Sequence, residues 1–262
     1  FLHHIFGFNS DSPLLFTQFY FWAFFALVYS MFAIIMEIGA HGAQAKEKNT
    51  RLHLRNIFLM AVSWFFYYKT SGLFLLILLF VTLSDWLIAQ QIYKVKGQKK
   101  MGKWWLALSV VIDLGLLCYF KYSYFFTNVV NDLLGTEFVV FDIFAYIGNG
   151  LSESGRFMVD RIILPVGISF YLFQVMSYTI DVYRGQVKPV KNILDFGFYV
   201  SFFPGLVAGP IVRANEFIPQ LYRPFRLSRR LAGLAVFWIL NGLIKKIVLS
   251  DYLAVNLIDR VF

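Results

Sequence analysis

Gly167, Tyr171, Gln174, Tyr178 and Asp181 recur at intervals of four and three within one apolar run, a spacing that lines one face of a helix. Polar side chains on an apolar helix turn from lipid toward neighbouring helices or a wet cavity. Two readings follow: hydrogen bonds that hold a helix bundle together, or the lining of a substrate tunnel. Arg184 lies three residues after Asp181, the spacing of a local ion pair at a helix end. Arg213 and Arg223 follow a stretch broken by proline and glycine, and guanidinium groups suit bidentate phosphate binding. Ordinary topology-setting charge is the competing reading for both, and for Lys245 and Lys246.

Other reactive residue types carry less. His3, His4, His41 and His53 show no metal-ligand spacing, so no metal site is expected. Cys118, the single cysteine, lies inside an apolar run and reads as a small core residue. No nucleophile elbow, Walker loop or dinucleotide fingerprint occurs, so no bound cofactor is expected.

The elements that must position these residues are set by composition. Of 262 residues, 59% are hydrophobic, 20% aromatic and 15% charged, at a mean hydropathy of +0.64. That is more apolar surface than one soluble core can bury. Membrane lipid is therefore the first partner. The net charge of +9 sits in short loops between apolar runs, a positive-inside pattern rather than a nucleic-acid footprint. We read an all-α, polytopic transmembrane helix bundle, 1–262 forming one integral membrane domain. Spans are expected at about 14–36, 54–69, 72–93, 104–126, 164–183 and 231–249. The run from Asn56 to Ser84 would be roughly 43 Å long as one helix, too long for one crossing, so two spans joined near Gly72 fit better. Phe203-Pro204-Gly205 and Gly209-Pro210 break a further apolar segment, with basic loops on both sides. It is expected to be a re-entrant element at about 196–212. The chain opens at Phe1 and closes at Phe262 without a terminating signal, so both ends are expected to be cut from a longer protein.

Leu164-Pro165-Val166-Gly167-Ile168-Ser169-Phe170-Tyr171-Leu172-Phe173-Gln174 resembles the membrane-bound O-acyltransferase (MBOAT) family. The likeness is to its bacterial branch of alginate O-acetyltransferases and D-alanyl transfer proteins. It continues through Ser177 to Gly185, Phe202 to Arg213, Glu216 to Leu221 and Gly242 to Lys246, with weaker echoes at Ser63 to Tyr68 and Phe120 to Tyr122. The resemblance implies a partial MBOAT fold around a tunnel in which a histidine, in a Leu-Trp-His-Gly-like context, serves acyl transfer. That context is absent from the four histidines here, so no catalytic residue is expected within 1–262. It further implies transfer of an acyl group, acetyl being expected, to a hydroxyl of a cell-envelope polysaccharide. The donor would be a cytoplasmic acyl-CoA or acyl-carrier-protein thioester, and a periplasmic acetyl-transfer partner would complete the reaction. Tyr171, Gln174, Tyr178 and Asp181 would line the tunnel, and Arg184 and Arg213 would contact the donor or its carrier. The expected location is the bacterial inner membrane, crossed many times. A transporter-like acyl relay and an inactive membrane scaffold remain the alternatives.

Overall fold

Backbone removed from water must satisfy its own N–H and C=O groups, so the apolar runs fold as helices and end where glycine or proline interrupts them. The computed structural model describes residues 19–37, 45–151, 159–206, 209–223, 228–258 and 260. Among them there is no strand. Helix α1 spans Phe19–Glu37. Helix α2 (Ala45–Ser71) stops where Gly72 takes a left-handed φ of 60°, and the 3-10 turn Gly72–Phe74 leads into α3 (Leu75–Lys94). Helix α4 (Lys99–Leu117) passes through the π-helical turn Cys118–Tyr122 into α5 (Ser123–Leu134). Gly135, at φ 62°, closes α5 in the left-handed conformation that glycine adopts at no steric cost. Helix α6 (Ile143–Leu151) follows. Its first turn is capped by Asp142, whose carboxylate accepts from the amides of Phe144 and Ala145 at 2.9 and 3.0 Å.

Helix α7 runs over Ile168–Tyr183 and not from Leu164. Pro165 lacks an amide hydrogen, and Gly167 has a left-handed φ of 74°, so the chain turns before the helix begins. At 16 residues α7 is roughly 24 Å long, shorter than the hydrocarbon core of about 30 Å. The segment around 196–212 is helix α8 (Ile193–Ser201), the single turn α9 (Phe203–Leu206) and a non-helical stretch before α10 (Ala214–Leu221). Backbone crowding explains Gly209. A Cβ added to Gly209 would lie 2.4 Å from the Cα of Gly205, whose carbonyl accepts the Gly209 amide.

The chain forms two units, Phe1–Tyr222 and Arg223–Phe262. In the first, α3 and α7 pack on each other and on α4, while α8 packs on α2 and α3. Their shared core holds Tyr67, Leu78, Val81, Tyr171, Leu172, Val175 and Phe196, all but inaccessible. A satellite of Phe21, Phe66 and Phe203 fixes α1 and α9 against α2. In the second unit, Ser228 caps α11 (Arg229–Ile244), which buries none of its side chains and continues through π-helical turns at Lys245–Asp251 and Ala254–Ile258.

Among the described residues three helical runs are long and apolar enough to cross a membrane: Leu52–Lys94, Lys100–Leu134 and Arg229–Ile258. Helix α1 holds a shorter apolar stretch, Phe21–Ile35. On the outside of the first unit Leu76, Trp104 and Val111 are 63–68% exposed. Apolar exposure of that size is a solubility liability in water and an ordinary surface in lipid. The fold is an all-α membrane bundle.

Close packing of α8 depends on Gly197, where an added methyl would rest 3.7 Å from Met60 Sδ and 3.8 Å from Thr82 Cγ2. Gly197→Ala is therefore expected to fold normally, whereas Gly197→Leu overfills the contact and costs about 1–3 kcal/mol. Thermal melts of the two variants in one detergent check this.

Candidate functional site

Helices α2, α3, α4 and α7 bring seven polar side chains into the interior. Asp85 on α3 is 1% exposed. Its Oδ1 accepts from Ser109 Oγ of α4 at 2.6 Å and from Thr179 Oγ1 of α7 at 3.1 Å. Asp113 stands one helical turn after Ser109, so the two share a face of α4. Its carboxyl group neighbours that of Asp85. Tyr171 sits two turns before Thr179 on α7, and its ring meets that of Tyr67 edge to face at 6.3 Å. No hydrogen bond of normal geometry reaches the buried hydroxyls of Tyr67, Ser71 and Tyr171, Oδ2 of Asp85 or either carboxyl oxygen of Asp113, although the Tyr67 hydroxyl neighbours those of Tyr171 and Ser71 and the two carboxyl groups neighbour each other. A buried polar atom left unpaired costs about 1–3 kcal/mol. Six at the centre of one bundle mark a place organised around something other than packing.

The residues that spacing put on one face do different things. Tyr171 joins the buried centre. Gln174 Nε2 donates to the Tyr199 carbonyl at 2.9 Å, which attaches α7 to α8. The Tyr178 hydroxyl accepts from the Val190 amide at 2.9 Å, while Trp86 Nε1 and Gln90 Nε2 each donate to the Val190 carbonyl at 2.8 Å. The loop after α7 is thereby clamped at one peptide. Tyr199 in turn donates its hydroxyl to the Val212 carbonyl at 2.8 Å, so the non-helical stretch before α10 is held from α8. Asp181 is buried, and its carbonyl accepts from the amides of Gln186 and Val187.

Asp181 and Arg184 do not form the ion pair their spacing suggested. Asp181 is buried, whereas Arg184 is the exposed residue that ends α7. Arg213 is exposed at the start of α10. Arg184 and Arg213 thus lie on separate elements, each accessible to an anionic ligand. Arg223 belongs to the second unit. Of the histidines, His53 is exposed on α2, and the other three lie outside the described residues.

The acidic centre was not read from the sequence. Asp113 was visible as a charge inside an apolar run, which is itself a functional signal. Asp85 lies inside the span expected at about 72–93, and nothing in its local sequence names Asp113 as its neighbour.

A second network closes the far end of α2. Arg55 donates to Asn56 Oδ1 and to the Leu221 carbonyl, and Asn56 Nδ2 donates to Asp195 Oδ1 at 3.3 Å. Tyr222 completes it by donating to Asp195 Oδ2 at 2.5 Å. Burial first, and then the bond to Asp195, push the Tyr222 phenol above its ordinary value of 10. An unfolded tyrosine ionises from about pH 10 while the folded one keeps its proton to higher pH. The folded state then binds more protons, and stability falls as pH rises from 10 toward the folded pKa. Denaturation between pH 9 and 11 is expected to show this loss in the wild type and a shallower one in Tyr222→Phe.

Searches against family models and solved structures return no match. Curated proteins do match. The chain is 35% identical over 202 residues to the probable alginate O-acetylase AlgI of Pseudomonas putida, covering 77% of this chain and 38% of that protein. It is 34% identical over 201 residues to the probable alginate O-acetylase AlgI of Pseudomonas aeruginosa, covering 76% and 35%. A peptidoglycan O-acetyltransferase of Helicobacter pylori is 27% identical over 221 residues, covering 74% and 38%. The chain thus spans 35–38% of the length of these relatives.

Proposed function

Because this chain belongs to the membrane-bound O-acyltransferase family, we propose that it forms part of an enzyme that acetylates hydroxyl groups of a cell-envelope polysaccharide. The observation that carries this reading is the 34–35% identity to alginate O-acetylases across three quarters of the chain. The peptidoglycan O-acetyltransferase has a different glycan acceptor in its name, so the shared element is acetyl transfer to a carbohydrate hydroxyl.

In this reading the donor is a thioester, acetyl-CoA or an acetylated carrier protein, arriving from the cytoplasm, and the protein is a multi-pass component of a bacterial inner membrane. The lysines at 94, 96, 99, 100 and 103, between α3 and the first turn of α4, support a cytoplasmic face there. Arg184 and Arg213 offer guanidinium groups for the donor's phosphates. Tyr171, Gln174, Tyr178 and Asp181 border the route to the reaction centre. A histidine acting as general base would activate the acceptor hydroxyl for attack on the thioester carbonyl, and polar groups around it would stabilise the oxyanion. None of this chain's four histidines is assigned that step. A partner on the periplasmic side would carry the acetyl group to the glycan.

Deletion of the gene is expected to remove O-acetyl groups from the exported polysaccharide, measured by proton NMR, and re-expression to restore them. Unchanged acetylation would remove the reading. In the restored strain, Arg213→Ala at normal membrane level is expected to lower transfer about tenfold at limiting donor, as loss of one charge-assisted phosphate contact predicts.

A further inference from the structure

Two carboxyl groups that neighbour each other inside the bundle, Asp85 and Asp113, have no basic partner among the groups that face them. Those groups are Ser109 and Asp113 itself from α4, and Tyr171, Tyr178 and Thr179 from α7. Ser109 donates to Oδ1 of Asp85, and Thr179, whose one hydroxyl hydrogen is shared with the Val175 carbonyl, approaches that same oxygen. The other three carboxyl oxygens accept no hydrogen bond of normal geometry, with Asp113 wholly inaccessible. The Tyr171 hydroxyl, equally inaccessible and likewise without such a bond, lies within electrostatic reach of Asp113. Beyond it stands the hydroxyl of Tyr67.

Uncompensated negative charge in a low-dielectric interior costs several kcal/mol per ion. Among the described residues the groups that face the two carboxyls are hydroxyls and none is a cation, so the site leaves positive charge to a ligand. The donor set is oxygen throughout, carboxyl and hydroxyl, without histidine or cysteine. That selects hard cations and disfavours zinc, copper and iron. Among the described residues no group of three or more acidic, histidine or cysteine side chains gathers as a metal site. Two carboxyls fall short of the ligand charge and number that calcium sites use, and the site is too enclosed for magnesium with its retained waters.

We propose that Asp85, Asp113 and Tyr171 form an intramembrane binding site for one small univalent cation, a proton or a sodium ion. The proposal uses nothing of the acetyl-transfer reading and stands or falls separately. In the proton form one carboxyl carries the hydrogen and donates it to the other, while Ser109 and Thr179 stabilise the charge that remains. In the sodium form the three free carboxyl oxygens and the Tyr171 hydroxyl coordinate the ion.

The test is infrared spectroscopy of the full-length protein in lipid nanodiscs, with carbon-13 aspartate, in sodium chloride and in choline chloride at pH 7. Thermal melts accompany it. A protonated-carboxyl stretch that moves on deuteration, is indifferent to sodium and is lost in Asp113→Asn supports the site as a proton site. A melting temperature that rises saturably, by about 3 °C or more, when sodium replaces choline supports it as a sodium site. That rise should disappear in Asp113→Asn. Ionised carboxyls throughout, with no sodium-dependent shift, overturn the proposal. The wild-type spectra and melts decide between these outcomes even where Asp113→Asn does not accumulate.

Discussion

Three helices meet at the carboxylate of Asp85, and the rest of the bundle follows from that meeting. Hydrogen bonds from Ser109 and Thr179 set the rotation of α4 and α7 against α3. Hydrogen bonds to a charged group contribute about 1.5–3 kcal/mol each. Once α7 is set, Tyr178 reaches Val190 and Gln174 reaches Tyr199. Tyr199 then holds Val212, the residue before Arg213. A chain of directional contacts thus runs from the buried acidic centre to an exposed guanidinium at the start of α10.

Three interruptions of helix among the described residues of the first unit are covered by such contacts, as backbone outside helices at membrane depth requires. The Val190 peptide receives three hydrogen bonds, two on its carbonyl and one from its amide. The Phe203 amide, just past the end of α8, donates to Ser63 of α2 at 3.3 Å. The Gly205 carbonyl accepts the Gly209 amide, at a separation that leaves no room for a Cβ on Gly209. These breaks are therefore built into the bundle.

How much of this was legible depends on where the physical cause resides. The all-α class follows from long apolar runs, and the family from consecutive residues at Leu164 to Gln174 and Phe202 to Arg213; both are properties of local sequence. Spacing placed Tyr171, Gln174 and Tyr178 on one face. Their partners are not local: a carbonyl at Tyr199 and an amide at Val190 carry no side-chain signature, so the distinction between holding a neighbour and facing a passage was invisible. The start of α7 was misjudged because hydropathy does not register the left-handed backbone at Gly167. The meeting of Asp85 with Asp113 depends on the relative rotation of two helices, which no periodicity within either can report.

Apolar packing alone could not have produced this arrangement. In lipid, a leucine gains little by leaving the tails for a protein interior, so hydrophobic surface does not decide which face of α7 turns inward. Directional bonds decide it. Helix α7 uses Thr179 toward α3, Gln174 toward α8 and Tyr178 toward the following loop, and rotating it would break all three contacts together. Tyr171 and Asp113, buried on the same faces, make no hydrogen bond of normal geometry that would fix that orientation, and Tyr171 adds only its packing and its ring contact with Tyr67. An apolar residue of similar volume would fill either position at least as well. Their polarity answers to a different requirement from the one that sets the fold, and that separates the chemistry of the centre from the bonds that hold it in place.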